Sequence, residues 1–436
     1  MNKKTSFILF ICYLLPSLVL ADEAIEKQLI SAINQQLEVS QKLLIDTVNI
    51  NSGTQNFAGV KQVGMVLKQQ YDALGFQTQW VDGSEFGRAG HLLATFEASS
   101  KPASPKILLI GHLDTVFAKD DSFQQARILN ENAIAGPGIT DMKGGNVIML
   151  AALQALQKQG LLSRMNIKVV LTGDEEASGR PLSLSKKALI DAGIWADIAL
   201  GFEDGDGNID TAVTARRGSV GWTLTTTGNA AHSSQIFTDA VGYGAVFEMA
   251  RILNGFREQL SDTPLLSFNP GLIAGGTRLT ETGASAIEGF GKNNVVAQIA
   301  TVKGGLRAVS PQQLRETQEK MQRIVSQSLA QTAATLVFND GYPPMQQTDG
   351  NLALLNMYNQ VSLDLGYKKV IPVNPRNAGA ADISFVANHV DMAIDGLGLM
   401  GTGGHTKDEV ADMNTFAQNM HKTAVLLYRL LQGVPN

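Results

Sequence analysis

Two adjacent glutamates, Glu175 and Glu176, are the residues whose type and position most directly suggest chemistry. They follow the apolar run Ile167–Leu171, which is rich in β-branched residues and predicts a buried strand. Open α/β sheets bind their ligands just beyond the carboxyl ends of such strands. Neighbouring carboxylates repel each other unless a positive group lies beside them. A divalent metal held by one glutamate would leave the other free to handle the proton of a bound water, whereas a solvated acidic loop is the simpler alternative.

Four other segments bring acidic or imidazole side chains to the end of a predicted strand, to the start of a helix or into a glycine-rich loop. These side chains are His112 and Asp114 after the run 107–110, Asp141 in the glycine-rich turn 136–145, Glu203 after the run 198–202, and His405 after the glycine-rich loop 398–404. We expect them to converge on one edge of the sheet. Nitrogen and oxygen ligands in this number suit two zinc ions, as in two-metal hydrolases.

Each of these residues also has a plain structural interpretation when it is taken alone. His112 could be a buried histidine satisfied by Asp114, and Asp141 could cap a helix. Glu203 lies in an acidic turn of the kind that is usually solvated. Convergence is what favours a metal site over these alternatives. The remaining histidines outside the inserted region described below are expected to be structural or exposed: His91, His389 and His421.

The elements that must position these side chains alternate between helices and strands. Helical patterns cover residues 22–74, with a polar break at 49–56, and residues 144–160. Strand-like runs occupy residues 76–80, 91–96, 106–110 and 167–171. This alternation predicts an α/β fold with a mixed, mostly parallel sheet covered by helices.

A region with a different pattern interrupts this alternation after residue 213. Strand-like runs at 218–227, 271–274, 295–302 and 335–338 combine with helical runs at 243–260 and 311–329, the latter beginning with Ser310 as N-cap and Pro311 in its first turn. That order is a split βαβ arrangement of ferredoxin type. The α/β style resumes with a helix at 352–365. We therefore predict a catalytic domain in two parts, 22–213 and 342–436, and an inserted α+β domain, 214–341.

The composition and the first residues of the chain limit the classes of function that are compatible with the sequence. Lys3 and Lys4 precede the apolar run Phe7–Leu15, and Val19-Leu20-Ala21 resembles a cleavage site, so residues 1–21 are interpreted as a signal peptide. The protein is then periplasmic or secreted, with no membrane attachment after cleavage. Its single cysteine, Cys12, lies in that segment, which excludes disulfides and thiolate ligands from the mature chain. A net charge of −5 without basic clusters argues against nucleic acid as a partner.

Four sequence blocks together resemble the signature of a known family. Residues 111–116, 138–145, 172–176 and 404–406 are similar, in order and spacing, to those of the di-zinc carboxypeptidase and aminoacylase family of metallopeptidases. The resemblance is greatest to the glutamate carboxypeptidase type, with acetylornithine deacetylase and succinyl-diaminopimelate desuccinylase as further relatives. It covers nearly the whole mature chain and implies a fold of zinc-exopeptidase type.

The resemblance implies a role for each residue of the candidate site. The implied ligands of two zinc ions per subunit, with cobalt or manganese as alternatives, are His112, Asp141, Glu176, Glu203 and His405. Asp141 would bridge both ions, with His112 and Glu203 completing one site, and Glu176 and His405 the other. Asp114 would hold His112 in the correct tautomer. Glu175 would act as the general base, and the peptide bond after Asp141 is implied to be cis.

The inserted domain resembles the lid and dimerisation domain of that family. The block 228–234 implies that His232 reaches the site of the partner subunit in a homodimer and stabilises the oxyanion. Asn294, Arg307 and Arg376 are implied to hold the substrate carbonyl and its free carboxylate, which a guanidinium can bind through two hydrogen bonds. His232 could instead be a histidine at the surface end of a strand, and Arg307 an ordinary surface arginine.

The predicted function is a di-zinc hydrolase of carboxypeptidase type that cleaves a peptide or other amide bond next to a free carboxylate. Its substrates would be small peptides or N-acyl amino acids. A deacylase acting on N-acyl amino acids is the alternative, because the chemistry is the same and only the pocket differs. A non-catalytic periplasmic protein that binds peptides or metal is a third possibility, which Glu175 disfavours because a binder needs no free base.

Overall fold

The computed structural model describes residues 15–99, 105–283 and 285–433. The predicted signal peptide, residues 1–21, lies outside this description up to residue 14, and the first helix begins at Leu15. Within the described part of the chain, no helix has both the length and the apolar composition that crossing a membrane requires. The chain divides into two compact units, the first formed by Met1–Ala212, Ala353–Ile371 and His389–Asn436, the second by Val213–Leu352 and Pro372–Asn388.

The helices and strands include those that the sequence patterns predict, in the same order, together with further, mostly short elements. The helices are α1 (Leu15–Val48), α2 (Phe57–Ala73), α3 (Gly144–Lys158), α4 (Leu182–Ser185), α5 (Lys187–Trp195), α6 (Gly244–Leu260), α7 (Pro311–Val325), α8 (Asp349–Asp364) and α9 (Asn414–Gln432). The strands are β1 (Gln77–Asp82), β2 (Gly90–Phe96), β3 (Lys106–His112), β4 (Arg127–Asn130), β5 (Ala133–Ala135), β6 (Asn166–Thr172), β7 (Ile198–Gly201), β8 (Thr211–Ala212), β9 (Val220–Gly228), β10 (Ser267–Gly276), β11 (Arg278–Gly283), β12 (Ala286–Phe290), β13 (Ile299–Arg307), β14 (Thr332–Phe338), β15 (Ile371–Pro372), β16 (Met392–Ile394), β17 (Gly401–Thr402) and β18 (Val410–Asp412).

The first unit is built on a six-stranded sheet in the order β1-β2-β6-β3-β7-β16. Strand β3 runs parallel to both β6 and β7, β16 runs parallel to β7, and β2 pairs antiparallel with β1 and β6. Every residue of β3 after Lys106 is buried, because helices pack against the sheet and both of its faces must therefore be apolar. Helix α3 packs against α1 and α9. The predicted mixed, mostly parallel sheet is confirmed.

The second unit is an antiparallel sheet in the order β10-β13-β9-β14, with α6 and α7 packed on it. Residues of β9 alternate between buried and part-exposed, as expected for a sheet covered on one face, and Trp222 and Phe256 lie in the core between sheet and helices. Ser310 accepts a hydrogen bond from the N–H of Gln313 and Pro311 opens α7, as predicted. The ferredoxin-like arrangement is confirmed, with one element that the sequence patterns did not predict, the hairpin of β11 and β12.

A buried histidine in the first unit makes the stability of the protein depend on pH. His421 is only 7% exposed; it accepts a hydrogen bond from the hydroxyl of Tyr367 (2.8 Å) and donates one to Oδ1 of Asn34 (2.9 Å). Burial lowers the pKa of His421 to about 4, whereas a histidine of the unfolded chain titrates near pH 6.5. Its contribution to stability is therefore complete above about pH 6.5 and is lost as the pH falls towards 4.

We expect this contribution to shrink by about 2 kcal/mol between pH 7 and pH 5. Urea unfolding at both pH values, with the wild-type protein and the variant His421→Gln, measures it, because glutamine keeps polar contacts but does not titrate. The wild-type free energy of unfolding should fall further than that of the variant. Equal losses in the two proteins would contradict the assignment.

Candidate metal centre

The carboxyl ends of three neighbouring strands in the first unit bring the candidate residues together. Strand β3 ends at His112, β6 is followed by the loop that carries Glu175 and Glu176, and β7 by the loop that carries Glu203. Because β6, β3 and β7 are parallel neighbours, these ends lie side by side. Asp141 lies in a tight turn before α3, where the peptide bond between Asp141 and Met142 is cis. The convergence predicted from the strand ends is therefore present.

Asp141 lies between two pairs of side chains, each of which consists of one imidazole and one carboxylate. Its Oδ1 is 3.0 Å from Nε2 of His112, which in turn is 3.7 Å from Oε1 of Glu203. Its Oδ2 is 2.8 Å from Nε2 of His405, which is 3.4 Å from Oε2 of Glu176. The structure thus brings all five sequence-predicted ligands together, grouped in the two sets that the resemblance implies. One atom each of His112, Asp141 and Glu176 lies within 4.8 Å of the other two.

The electrostatics of this group are those of several carboxylates that are buried close together. Burial, reinforced by the charge of Asp141, raises the pKa of Glu176 to about 11, and burial raises the pKa of Glu203 to about 7. Burial disfavours charge on His112, yet the facing carboxylates outweigh it and raise the pKa of that imidazole. The hydrogen bond to Asp141 raises the pKa of His405. Divalent cations would stabilise the charged carboxylates of Glu176 and Glu203, and would favour the neutral imidazoles of His112 and His405.

One carboxylate oxygen of this group is placed as a ligand atom. Oε1 of Glu176 is buried and has no hydrogen-bond partner among the residues that the structure describes. Buried polar atoms are nearly always satisfied, so an orphaned one calls for an explanation such as an ion. Imidazole nitrogens and carboxylate oxygens suit zinc, cobalt or manganese. The residues present therefore fit the metal pair that the sequence predicts.

The side chain of Asp114 organises the acidic loop more than it holds His112. Nδ1 of His112 lies 3.0 Å from the backbone oxygen of Asp114 and 3.5 Å from its carboxylate. That carboxylate instead accepts hydrogen bonds from the backbone N–H groups of Glu175 (3.0 Å) and Glu176 (3.2 Å) and from the hydroxyl of Thr54 (2.6 Å). The orientation of His112 rests mainly on a backbone carbonyl, and Asp114 fixes the two glutamates.

A buried ion pair anchors the same loop from its other side. Asp174, the residue before Glu175, accepts hydrogen bonds from Nζ of Lys186 (2.9 Å) and from the N–H of Gly179 (2.8 Å). His91 accepts from the N–H of Gly173 (3.1 Å) and contacts the loop as a structural histidine, as predicted. Glu175 and Glu176 are thus held by contacts on both sides of them in the chain.

Glu409 is a buried residue that the sequence patterns did not single out. Its Oε2 accepts a hydrogen bond from the N–H of Gly138 (2.8 Å). Its Oε1 accepts from the N–H of Thr140 (2.8 Å), the hydroxyl of Thr140 (3.1 Å) and the N–H of Asp141 (3.4 Å). The carboxylate clamps the turn that presents Asp141. Its position shortly after His405 could have identified it, because the glycine-rich turn 136–145 has backbone N–H groups that need a hydrogen-bond acceptor.

We expect Glu409→Gln to weaken metal binding roughly tenfold to a hundredfold without unfolding the protein, since residues that orient ligands have effects of this size. The amide would place an NH2 group against a backbone N–H, so the turn of Asp141 would loosen. Titration against a competing chelator measures the change. Glu131→Gln, at an exposed position, is the matched control. Equal affinity in the two variants would contradict the clamp.

The second unit holds the remaining sequence-predicted residues. His232 is exposed, and its backbone forms a β-bridge with Val295, next to Asn294. Nδ1 of His232 accepts hydrogen bonds from the hydroxyl (2.9 Å) and the N–H (3.3 Å) of Ser234. This pattern puts the proton of a neutral imidazole on Nε2, which leaves an exposed donor. Arg307 ends β13, and Arg376 lies in the segment 372–388.

Two known proteins are similar in sequence to this chain. Carboxypeptidase G2 from Pseudomonas sp. (strain RS-16) is 24% identical over 399 residues, which cover 90% of this chain and 89% of that protein. A probable succinyl-diaminopimelate desuccinylase from Staphylococcus aureus (strain MRSA252) is 28% identical over 227 residues, about half of either chain (51%).

Solved structures share the fold. Aminopeptidase PepT from Bacillus cereus ATCC 10987 superposes with a TM-score of 0.69 at 18% identity, covering 90% of this chain and 98% of that one. An M20 family metallo-carboxypeptidase from Sulfolobus solfataricus gives 0.59 at 15% identity, covering 90% and 99%. Residues 108–433 match the sequence model of peptidase family M20/M25/M40. The chain therefore belongs to peptidase family M20/M25/M40 and is a hydrolase of the metallopeptidase kind.

Proposed function

We propose that the protein is a di-zinc exopeptidase of carboxypeptidase type, cleaving an amide bond next to a free carboxylate. The observation that carries the proposal is the position of Asp141, whose two oxygens face separate imidazole and carboxylate pairs. His112 and Glu203 would hold one ion with Asp141, and Glu176 and His405 the other. Two bound ions would polarise the scissile carbonyl and acidify the attacking water.

Glu175 follows the ion-paired Asp174 and lies outside both proposed ligand sets. Its backbone is fixed by Asp114, and its side chain is part-exposed, so it can accept a proton from water and later deliver it to the leaving amine. A pure metal- or peptide-binding protein would have no use for a base at this position. The likeness to carboxypeptidase G2 over most of the chain supports the carboxypeptidase form of the proposal. The shorter likeness to a desuccinylase keeps the deacylase as second candidate.

Metal analysis and a matched substrate panel test the proposal. We expect about two divalent ions per chain and release of the C-terminal amino acid from dipeptides. The same dipeptides with an amidated C-terminus are the control and should be hydrolysed poorly, because they lack the free carboxylate. Preferential hydrolysis of N-acetyl or N-succinyl amino acids would instead assign the deacylase. Fewer than two ions, with no amidase activity after zinc is added, would overturn the enzyme assignment.

We also propose that the second unit forms a homodimer. An aromatic patch, here the rings of Phe237, Tyr243 and Phe247, supports it: these side chains are 58%, 40% and 50% exposed. Phe237 lies 5.5 Å from each of the other two rings, so the apolar surface is continuous. Contiguous apolar surface of this kind is typical of association sites. In such a dimer, Nε2–H of His232 would donate to the oxyanion in the partner's site.

A further inference from the structure

Asp395 is a buried residue at the carboxyl end of β16 that belongs to neither proposed ligand set. It is 1% exposed and directly follows Ile394, the last residue of that strand. Strand β16 runs parallel to β7, and the loop after β7 carries Glu203. The carboxyl ends of parallel neighbours share one edge of a sheet, so Asp395 lies at the edge where the candidate ligands converge.

The segment 395–398 binds both backbone polar groups of Glu203. Oδ1 of Asp395 accepts a hydrogen bond from the N–H of Glu203 (3.2 Å). The N–H of Gly398 donates to the carbonyl oxygen of Glu203 (2.9 Å). Gly398 is itself anchored, because its carbonyl oxygen accepts a hydrogen bond from Nδ2 of Asn419 in α9 (2.5 Å). This segment therefore fixes the backbone from which the side chain of Glu203 projects.

Two glycines allow the segment to approach the end of β7 this closely. A Cβ atom added to Gly201 would lie 2.3 Å from Oδ1 of Asp395. A Cβ atom added to Gly398 would lie 2.1 Å from the carbonyl oxygen of Phe202. Both distances are far shorter than a van der Waals contact, so a side chain at either position would push the segment away from Glu203.

The simpler alternative is that Asp395 only stabilises its own turn. Its Oδ1 also accepts a hydrogen bond from the N–H of Gly396 (2.7 Å), a local contact that is common for aspartate in turns. That contact does not account for the second hydrogen bond, which reaches Glu203 in another part of the chain. Removal of the carboxylate would leave the N–H of Glu203 without this acceptor.

We propose that Asp395 is a positioning residue for Glu203 and thereby sets the affinity of the ion that His112 and Glu203 would hold. This role rests on the proposed metal pair and deepens the proposed function. Asp395 acts through Glu203, so the affinity of the ion between Glu176 and His405 should depend on it much less. Residues that orient metal ligands in this way typically change metal affinity by about tenfold to a hundredfold.

Metal titration against a competing chelator tests this role in two backgrounds, each of which keeps one of the proposed sites. His405→Ala keeps the site of His112 and Glu203, and in this background Asp395→Ala should weaken binding of the remaining ion about tenfold to a hundredfold. Glu203→Ala keeps the other site, and there Asp395→Ala should change the affinity by less than about twofold. Asp395→Asn keeps an acceptor at Oδ1 and should recover part of the lost affinity.

Gly201→Ala tests the same contact from the side of β7, because the added methyl group would displace the carboxylate of Asp395. It should weaken binding of the same ion, and it carries the comparison together with Asp395→Asn if Asp395→Ala does not fold. Asp391→Ala, at an exposed position just before β16, and Gly305→Ala, at a strand glycine with open space around its Cβ position, are the controls. Both should keep the wild-type affinity, and circular dichroism shows which variants are folded.

The titrations separate failure of this role from failure of the proposed function. If the wild-type protein hydrolyses the dipeptides and Asp395→Ala weakens both ions equally, or neither, Asp395 is only structural and the function stands. If Asp395→Ala weakens only the ion that depends on Glu203, but no amide is hydrolysed, the positioning role is upheld and the proposed function is overturned. A wild-type protein that binds no divalent ion would overturn both.

Discussion

Replacing Glu175 by glutamine will lower kcat by a factor of about 10² to 10⁴ while the metal content stays at the wild-type level. The amide has the size of the carboxylate but cannot accept the proton of the attacking water. The backbone N–H of residue 175 still donates to Asp114, so the loop should keep its shape. Steady-state kinetics together with metal analysis of the same preparation check both halves of the expectation.

Glu131→Gln serves as control, because it makes the same chemical change at an exposed position of the same unit. It should turn over at the wild-type rate. Wild-type activity in Glu175→Gln would reject the assignment of Glu175 as the base. Loss of metal from Glu175→Gln would show that Glu175 is itself a ligand, in conflict with the proposed ligand sets.

The second large effect is expected from His232→Ala, which should lower kcat by about 10² to 10³ without loss of metal. The truncation removes the exposed Nε2–H donor, and His232 is outside both ligand sets. If this donor serves the partner's site, inactive variants will complement each other. An equal mixture of His232→Ala and Glu175→Gln should regain about a quarter of wild-type activity, since half of the dimers are mixed and each has one intact site.

As controls, each variant alone at the same total protein concentration should stay inactive. Sedimentation of the mixture, with one variant carrying a mass tag, shows whether mixed dimers have formed. Mixed dimers without recovered activity would place the action of His232 within its own subunit. A protein that sediments as a monomer at assay concentrations would contradict the homodimer itself.

The strands and helices that position the site were predictable because they depend on local sequence patterns. Buried β-branched runs identify β3, β6 and β7, and a glycine-rich turn identifies the start of α3. Once strands and helices alternate, the ends of parallel strands must share an edge, and His112, Glu176 and Glu203 converge for that reason. Two side chains of the inserted region, Ser310 and Pro311, predicted the start of α7 by the chemistry of capping.

What the sequence did not predict depends on contacts between distant segments. Glu409 matters because it accepts amides from a turn far away in the chain, and no local pattern records that partner. The carboxylate of Asp114 accepts hydrogen bonds from the backbone N–H groups of Glu175 and Glu176, whereas His112 was the predicted partner. These two glutamates are also far away in the chain, so no local pattern records the contact. The hairpin of β11 and β12 escaped prediction because most of its residues are exposed, so it lacks the alternation of apolar and polar side chains by which strands are recognised.

The crowded carboxylates around Asp141 also bear on how long the protein survives. Without cations their repulsion opposes folding, whereas each ion present at a hundred times its dissociation constant adds about 2.7 kcal/mol to the free energy of unfolding. That increment lowers the unfolded fraction about a hundredfold, and the unfolded chain is what proteases degrade. On the proposed metal site, a shortage of divalent cations would therefore reduce the abundance of the protein as well as the turnover of each molecule.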